Sequence, residues 1–260
     1  MTPSRQTALI TGAGNGIGRA IAIAMAENDR NVVCADIDLS TAETTAATIR
    51  QLGVEATALK VDVGETSEIS NMIQDIERQF GRLDILVNNA GVTRAADIME
   101  LTEADWDKIH RVNAKGVFFC LQNAAKQMIE QGNGGRIINI ASIAGRGFSG
   151  TSNAAYSASK GAVISLTKTA AQQLAKHDIT VNSICPGVTT TEIVEGLVKT
   201  RAEARGISVE AIVKEMTDNI PLKRANEPED IAAMAIFLAS SGARNITGQS
   251  YNVDGGLVTS

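Results

Sequence analysis

Thr7–Glu27 reads TALITGAGNGIGRAIAIAMAE, which is a short run of β-prone residues, a glycine-rich turn and the start of a helical pattern. Glycines in such a turn let the backbone bend sharply and come close to a pyrophosphate. The first turn of the following helix offers free N–H groups and the positive end of its dipole to an anion. A strand, a glycine turn and a helix in this order therefore predict a dinucleotide-binding βα unit.

The glycine spacing defines the kind of turn. Thr11–Gly18 fits the pattern Thr-Gly-x-x-x-Gly-x-Gly and does not fit Gly-x-Gly-x-x-Gly, because Ile17 and Arg19 stand where a third glycine would fall. We expect the cofactor phosphates to lie against this turn. The residues predicted to contact the cofactor here are Gly12, Asn15, Gly16, Ile17 and Gly18.

Strands and amphipathic helices alternate along most of the chain, which predicts an α/β fold with one Rossmann-like, doubly wound parallel sheet of about seven strands and helices on both faces. No Pro/Gly/Ser-rich linker or internal repeat divides residues 1–260, so we predict a single domain. The predicted strands are Thr7–Thr11, Asn31–Asp36, Ala56–Val61, Leu83–Val87, Arg136–Ile140, Thr180–Cys185 and Gln249–Val253. The predicted helices are Gly16–Glu27, Ser40–Leu52, Thr66–Phe80, Glu103–Gln131, Tyr156–Lys176 and Pro228–Leu238.

Two local signals mark helix starts. Ser40-Thr-Ala-Glu43 has the spacing of a capping box, and Pro228 suits the first turn of a helix. The stretch from Thr191 to Arg224 carries a helical pattern, many charges of mixed sign and no strand. It follows the sixth predicted strand, at the sheet edge where ligands bind in such folds. We predict a mobile lid over the substrate there, with a solvated surface connection as the alternative.

Asp36 ends the second predicted strand. A carboxylate at this point accepts hydrogen bonds from both ribose hydroxyls of NAD and repels the 2′-phosphate of NADP. Position 37 is Ile and position 15 is Asn, so the nearby basic residue that would favour NADP is missing. Asp36 therefore predicts NAD as the cofactor, the alternative being a solvated acid at a strand end.

Two further runs follow strands on the same side. Asp62, followed by Val63, has two interpretations: its side chain contacts the adenine amino group, or it caps the next helix. After the fourth strand, Asn88–Gly91 places amide and small side chains beside the crevice. We expect Asn88 to face the ribose and Asn89 to brace the turn. The cofactor contacts predicted from this run are Asn89, Ala90 and Gly91.

Tyr156 and Lys160 stand four residues apart and so share one face of a predicted helix. A free tyrosine has a pKa of about 10 and is a poor base at neutral pH. A cation a few ångströms away lowers that pKa, as acid–base work near neutral pH requires. Ser142, at the end of a strand-like run, is placed to hydrogen-bond the substrate oxygen. The sequence thus predicts a proton-transfer site.

Composition excludes several other classes. The net charge is −5, which argues against nucleic acid and anionic membranes as main partners. No apolar run approaches the roughly 18 residues that a membrane span needs. The first strand begins within a few residues of Met1, which leaves no room for a signal peptide, so we expect a cytoplasmic protein.

Metal binding is not expected. Cys34, Cys120 and Cys185 each lie in an apolar run and are predicted to be buried free thiols. His110 and His177 have no Cys or His at ligand spacing. We predict no metal site.

These motifs together resemble the short-chain dehydrogenase/reductase family along essentially the whole chain. The glycine turn and Asn88–Gly91 are similar to two of its motifs, and Pro186-Gly187 is similar to its turn after strand six. The catalytic residues that the resemblance implies are Asn113, Ser142, Tyr156 and Lys160.

Specific roles follow from the resemblance alone. Tyr156 would be the general acid/base, Lys160 would lower its pKa and hold the nicotinamide ribose, and Asn113 would anchor a water that links Lys160 to solvent. Thr191 resembles the residue that bonds the nicotinamide carboxamide, and Thr189 is a weaker candidate. The other cofactor contacts implied are Pro186 and Gly187, and the Asp254–Leu257 segment is expected to be structural.

The resemblance implies an NAD-dependent enzyme that interconverts a secondary alcohol, such as a polyol, diol or other hydroxy compound, and its ketone. It also implies a homotetramer paired through its long helices. The extended segment 191–224 favours acetoin, polyol and sugar dehydrogenases. An alternative is an enzyme like the 3-oxoacyl-carrier-protein reductases, and a rival of another class is a non-catalytic NAD-binding regulator. Candidate substrate contacts are Arg94, Arg146, Phe148 and Asn153, and for each of them a surface or packing position is the alternative.

Overall fold

The computed structural model describes residues 5–148, 150 and 152–259, and these contain one seven-stranded parallel sheet. Its strand order is β3-β2-β1-β4-β5-β6-β7, so the chain winds outward from β1 in both directions, as predicted. The strands are β1 Thr7–Thr11, β2 Asn31–Asp36, β3 Ala56–Lys60, β4 Ile85–Asn88, β5 Gly135–Ile140, β6 Ile179–Pro186 and β7 Ser250–Val253.

Helices cover both faces of the sheet. They are α1 Gly16–Glu27, α2 Leu39–Arg50, α3 Thr66–Phe80, α4 Glu103–His110, α5 Val117–Gln131, α6 Ala154–Leu174, α7 Glu192–Arg205, α8 Val209–Asp218 and α9 Pro228–Ala239. Within β1, Ala8 and Ile10 pack with α1, α2 and α9, whereas Leu9 packs with α3, α5 and α6. Because alternate side chains enter opposite cores, every β1 side chain is buried, which explains the continuous apolar run.

The position of the site follows from this winding. β1 and β4 are neighbours, yet the connection from β1 leads to β2 on one side and the chain returns to β4 on the other. The connections therefore diverge between β1 and β4, and a crevice opens at the carboxyl ends of these strands. The glycine turn after β1, the Asn88–Gly91 run after β4 and Ser142 after β5 all lie at this edge.

The predicted continuous helix Glu103–Gln131 is wrong in one respect. A wider helical turn of the π type, Arg111–Gly116, separates α4 from α5. Asn113 lies in this turn, where its side chain bonds both the backbone N–H and the carbonyl of Val92. A distant backbone contact of this kind is not visible in local periodicity, and such turns are frequent at functional sites.

The predicted capping box at Ser40–Glu43 is also wrong. α2 begins one residue earlier, and the Asp38 carboxylate accepts hydrogen bonds from the Ser40 backbone N–H at 2.8 Å and its hydroxyl at 2.7 Å. Glu43 forms an ion pair with Arg50. Pro228, in contrast, occupies the first turn of α9, as predicted.

The stretch between β6 and α9 forms a helical hairpin of α7 and α8, named the lid hairpin here. Val198, Ala202 and Ile212 form a small apolar cluster separate from the two main cores. The two ends of the segment are joined, because Asn226 donates from its backbone to Val188 and accepts from Thr190. The hairpin thus has its own core and a fixed base.

Cys34, Cys120 and Cys185 are buried free thiols. None of the helices in the described part of the chain is long and apolar enough to cross a bilayer. Across the same residues, His, Cys, Asp and Glu side chains form no group of three or more that could hold a metal ion.

Candidate active site

The glycine turn is closed by direct contact between backbone segments. A Cβ atom added at Gly18 would collide with the Gly12 carbonyl and with the Asn89 side chain. Gly12 itself has a positive φ of 65°, and a Cβ there would lie 2.9 Å from the Ala90 Cα. Only glycine fits at these positions, so the turn keeps the flat, backbone-lined surface that a pyrophosphate requires. The residues present therefore fit a dinucleotide.

Asn89 connects the glycine turn to the end of β4. Its side-chain amide donates to the carbonyl oxygens of Thr11 and Gly12, both at 3.0 Å. The Thr11 hydroxyl accepts the backbone N–H groups of Asn89 and Ala90 in return. The two βα turns consequently form one rigid unit along the crevice.

Asn88 does not face the crevice, and this expectation was wrong. Its side chain is buried and donates to the Asn139 Oδ1 at 2.9 Å, inside the sheet. The alternation of side chains along β4 explains the difference, because consecutive residues point to opposite sides. Asn89 both braces the turn and lines the crevice.

Asp36 lies at the end of β2 with both carboxylate oxygens oriented by backbone donors. One oxygen accepts the Gly14 N–H at 2.9 Å and the other accepts the Asp38 N–H at 3.1 Å. Asp36, Asn15 and Ile37 all line the crevice. Among the described lining residues Lys160 is the one basic side chain, so no cation stands beside Asp36 in the crevice.

Asp62 lines the crevice but does not cap α3, whose N-terminal cap is Glu65. One Asp62 oxygen accepts the Gly64 N–H at 2.8 Å and the other pairs with Arg111 at 3.0 Å. The capping alternative for Asp62 is therefore wrong. Val63 follows it along the same wall.

Ser142, Tyr156 and Lys160 come together where β5 meets α6. The Ser142 hydroxyl accepts the Ala144 N–H at 3.1 Å and forms a hydrogen bond with the Tyr156 phenol. The Lys160 ammonium donates to the Ile140 carbonyl at 2.8 Å and lies 5.8 Å from the centroid of the Tyr156 ring. All three side chains line the same crevice as the glycine turn.

The electrostatics of this group differ from expectation. Burial raises the pKa of Tyr156, and its hydrogen bond to Ser142 lowers the pKa by a smaller amount. Burial also lowers the pKa of Lys160 to about 8. The prediction that the neighbouring lysine gives Tyr156 a lowered pKa is therefore wrong for this arrangement, because desolvation of the phenolate outweighs the other effects.

Asn113 is fully buried and does not line the crevice. Its side chain accepts the Val92 N–H at 2.8 Å and donates to the Val92 carbonyl at 2.9 Å and to the Ser159 hydroxyl at 3.2 Å. A Cβ added at Gly91 would lie 3.5 Å from the Asn113 Oδ1 and 3.6 Å from the Lys160 Nζ. Asn113 thus stands behind Gly91, close to the catalytic candidates.

The far wall of the crevice is formed by Pro186, the last residue of β6, and by Gly187, Thr189 and Thr191, which follow it. A Cβ added at Gly187 would lie 2.6 Å from the Asp254 Cβ, so the C-terminal segment packs directly on this turn. Asp254 is buried, and its carboxylate accepts the N–H groups of Gly256 and Val258.

The crevice has a volume of about 390 Å³. Of the predicted catalytic and cofactor-facing residues, Gly18, Asn88 and Asn113 do not line it, since all three are buried behind its wall. Sequence reasoning missed several lining residues, and most of them adjoin a predicted one: Ile37, Val61, Val92, Thr93, Val112, Ile140, Ala141, Glu192 and Val194.

The four proposed substrate contacts do not line the crevice. Arg94 forms a two-point ion pair with Asp105. Arg146 donates to the Ser250 carbonyl, and Phe148 packs on a small apolar cluster around Val163. Asn153 is the N-terminal cap of α6. The alternative of a surface or packing position is therefore the correct one for these four residues.

The geometry agrees with similarities to known proteins. A family model described as enoyl-(acyl carrier protein) reductase matches residues 12–258. The chain is 41% identical over 254 residues to the 3-oxoacyl-(acyl-carrier-protein) reductase FabG of Staphylococcus epidermidis, which covers 97% of this chain and 98% of that protein. It is 40% identical over 256 residues to the galactitol 2-dehydrogenase of Agrobacterium fabrum, which covers 98% of each.

A solved structure of NAD+-bound xylitol dehydrogenase is similar with a TM-score of 0.91 and 32% identity, over 98% of this chain and 100% of that chain. The nearly equal identities to a reductase and to a polyol dehydrogenase mean that overall similarity does not separate these two substrate classes.

Proposed function

Because the chain belongs to the short-chain dehydrogenase/reductase family of nicotinamide-dependent oxidoreductases acting on CH–OH groups, we propose that it interconverts a secondary alcohol and its ketone with NAD. The observation that carries the proposal is the meeting of Ser142, Tyr156 and Lys160 in the crevice that also holds the glycine turn and Asp36. A dinucleotide and a small substrate would share this space.

The Tyr156 hydroxyl transfers the proton. In the oxidation direction its phenolate form takes the proton of the substrate hydroxyl and becomes the phenol, and in reduction the phenol gives that proton to the carbonyl oxygen and becomes the phenolate. Ser142, whose hydroxyl lies beside the phenol, would turn its single O–H donor to the same substrate oxygen and fix its position. When bound, the nicotinamide ring accepts or supplies the hydride at the substrate carbon.

Lys160 prepares Tyr156 for this transfer. Its ammonium binds the nicotinamide ribose and stabilises the phenolate as it forms. With a pKa lowered to about 8, Lys160 can also exchange protons with its surroundings near neutral pH. Asn113 holds the backbone at Val92 beside this lysine, which supports a role in positioning a water next to it.

NAD is the cofactor that Asp36 favours. Its carboxylate is held by two backbone N–H groups and is not neutralised by any basic residue lining the crevice within the described chain. A 2′-phosphate in this place would meet an uncompensated negative charge.

For the substrate we propose a polyol or diol. The lid hairpin supports this choice, since a two-helix cover of this kind encloses a small molecule and excludes water from it. A second candidate is a 3-oxoacyl-(acyl-carrier-protein) substrate, which the 41% identity to such a reductase supports. A non-catalytic regulator is disfavoured, because the chain retains the serine, tyrosine and lysine together.

We further propose one domain over residues 1–260, a lid over 191–224 and a homotetramer as the working form. Closed twofold symmetry is the common arrangement of such oligomers. Phe118 on α5 and Trp106 on α4 are large apolar side chains that remain exposed in the monomer, which supports pairing through these helices.

The experiment is a screen of diols, polyols and hydroxy acids with NAD, and of a 3-oxoacyl thioester with NADH and NADPH, followed as NADH or NADPH absorbance. We expect turnover of at least one polyol or diol, and Tyr156→Phe should abolish it while NADH still binds. Tyr251→Phe, the same change at the other tyrosine of the chain, is the control and should remain active. If the enzyme turns over the 3-oxoacyl thioester in preference to every polyol and diol, the substrate class is the second candidate. An active Tyr156→Phe enzyme would refute the mechanism.

A further inference from the structure

One polar side chain joins the start of the catalytic helix to the opposite wall of the crevice. Asn153 caps α6, and its Oδ1 accepts the backbone N–H of Tyr156 at 2.7 Å. Its Nδ2 donates in the other direction, to the Arg94 carbonyl at 2.7 Å and to the Thr93 hydroxyl at 3.2 Å. The two ends of one amide therefore bind two separate parts of the site.

Of the two residues that Asn153 Nδ2 binds, Thr93 is the one that faces the crevice. It lines the crevice together with Ser142 and Tyr156. Its hydroxyl is also hydrogen-bonded to the Ser152 hydroxyl, so both residues before α6 hold it. The Ala96 N–H donates to the Ser152 carbonyl at 3.2 Å, which extends the connection along the same loop.

The loop has a second anchor on its outer side. The Arg94 guanidinium binds both carboxylate oxygens of Asp105, at 2.7 and 2.6 Å, and Asp105 is part of the capping box of α4. The loop after β4 is thus held between α4 and the start of α6. Asn153 is only 6% exposed, so water competes little for its hydrogen bonds.

From this arrangement we propose that Asn153 is a positioning residue that sets the separation between Tyr156 and the Thr93 wall, and that Thr93 determines which substrates fit there. The inference rests on the proposed alcohol–ketone chemistry at Tyr156. A helix cap alone needs only the accepting oxygen of Asn153. The Nδ2 of Asn153 instead donates to the loop after β4. The capping role and the positioning role therefore use different atoms and can be tested separately.

Asn153→Asp separates them. The carboxylate keeps an acceptor for the Tyr156 N–H at a helix N-terminus, where negative charge is favourable. It loses the donor and would repel the Arg94 carbonyl oxygen. Thr93→Val removes the hydroxyl with little change of shape, and Asn31→Asp is the control, because Asn31 uses its Oδ1 to accept a backbone N–H at the distant start of β2.

The first measurement is amide hydrogen exchange, which needs no turnover. We expect exchange in the segment 93–97 to rise at least tenfold in Asn153→Asp and in Thr93→Val, with the amides of Tyr156 and Ser157 as protected as in the unaltered protein. Unchanged exchange in 93–97 would overturn the positioning role, whatever the enzyme does. This result is independent of whether the proposed chemistry is right.

The second measurement is steady-state kinetics with a polyol that the enzyme oxidises. We expect kcat/KM to fall at least tenfold in Asn153→Asp and in Thr93→Val. The kcat/KM of the double variant should lie within threefold of that of either single variant, because both changes break the same hydrogen bond between Asn153 and Thr93. Asn31→Asp should stay within twofold of the unaltered enzyme. Full activity in Asn153→Asp with loss only in Asn153→Ala would reduce Asn153 to a helix cap, and multiplicative losses in the double variant would also contradict the proposal.

Discussion

The ammonium of Lys160 donates a 2.8 Å hydrogen bond to the carbonyl oxygen of Ile140, the last residue of β5. Lys160 is almost completely buried, with 3% of its surface exposed. A strand end therefore holds the charge of Lys160 in place, and water contributes little to its solvation. This arrangement has a measurable effect on stability.

We predict that burial of Lys160 makes the protein more stable as the pH rises through the alkaline range. Its pKa is lowered from 10.5 to about 8 in the folded chain, so the unfolded chain binds this proton more tightly. The loss of stability caused by burying the charged Lys160 is fully present below about pH 8, and it disappears as the pH approaches 10.5. The free energy of unfolding should rise by roughly 2–3 kcal/mol relative to Lys160→Met between pH 7 and pH 10.

Urea denaturation of both proteins at several pH values measures this difference. Groups common to both proteins cancel in the comparison, so the remaining slope belongs to Lys160. A difference that stays constant from pH 7 to 10 would show that the lysine titrates normally.

We predict that NAD is preferred over NADP by at least about tenfold in kcat/KM, which corresponds to about 1.4 kcal/mol. The physical reason is the Asp36 carboxylate, which two backbone N–H groups fix at the crevice wall. Asp36→Ala should lower the ratio of kcat/KM with NAD to kcat/KM with NADP. Asp38→Asn is the control, because it changes a neighbouring carboxylate but keeps a capping oxygen. Its NAD-to-NADP ratio of kcat/KM should stay within threefold of that of the unaltered enzyme. Equal efficiency of the two cofactors in the unaltered enzyme would refute the assignment.

Assembly is expected through α4, α5 and α6. The sequence offers six small or apolar residues on α5 and α6 for pairing, namely Val117, Phe118, Ala124, Ala162, Leu166 and Ala170. Only some of them are exposed. Val117, Ala124 and Ala170 are buried within the monomer, whereas Phe118 is 40% exposed. The apolar surface available for pairing is therefore smaller than expected, and Phe118 becomes its main candidate.

Light scattering should give four times the 27.3 kDa mass of one chain at micromolar concentration. Phe118→Asp should lower that mass, because a carboxylate buried at an interface is unfavourable. Leu222→Asp, at an exposed apolar residue outside these helices, is the control. A monomeric mass for the unaltered protein would contradict the tetramer.

The lid hairpin should be the first internal segment that a protease cuts. Its own apolar cluster is small, and its ion pair between Arg205 and Glu215 is half exposed, so it contributes little to stability. Trypsin should cleave after Lys199, Arg201 or Arg205, and NADH with a substrate analogue should slow this cleavage. Initial cuts elsewhere, or equal rates with and without ligand, would make the hairpin an ordinary surface feature.

Much of the fold was predictable because local signals were unambiguous. β1, β2, α1 and α3 begin and end where the pattern predicted, since each is a buried run or an amphipathic helix next to a turn. The residues that line the crevice were also largely found, because the carboxyl ends of neighbouring strands converge in this topology.

The remaining details depend on contacts between distant segments. The π turn around Asn113 forms against Val92, and Asp62 pairs with Arg111, the first residue of that turn. The raised pKa of Tyr156 comes from burial that only the folded chain creates. Asn153 was a candidate substrate contact with a packing position as the alternative, and its hydrogen bonds are all directed at the protein. Periodicity and motif spacing carry no information on such partners.

The close packing of Gly187 against Asp254 also bears on the order in which the protein is made. Gly187 belongs to the crevice wall that follows β6, whereas Asp254 follows the seventh strand, β7. Because a chain is synthesised from its N-terminus, the residues of the glycine turn and of β1–β5 leave the ribosome before Asp254 does. The crevice wall at the glycine turn can therefore form while the wall at Gly187 still lacks its packing partner.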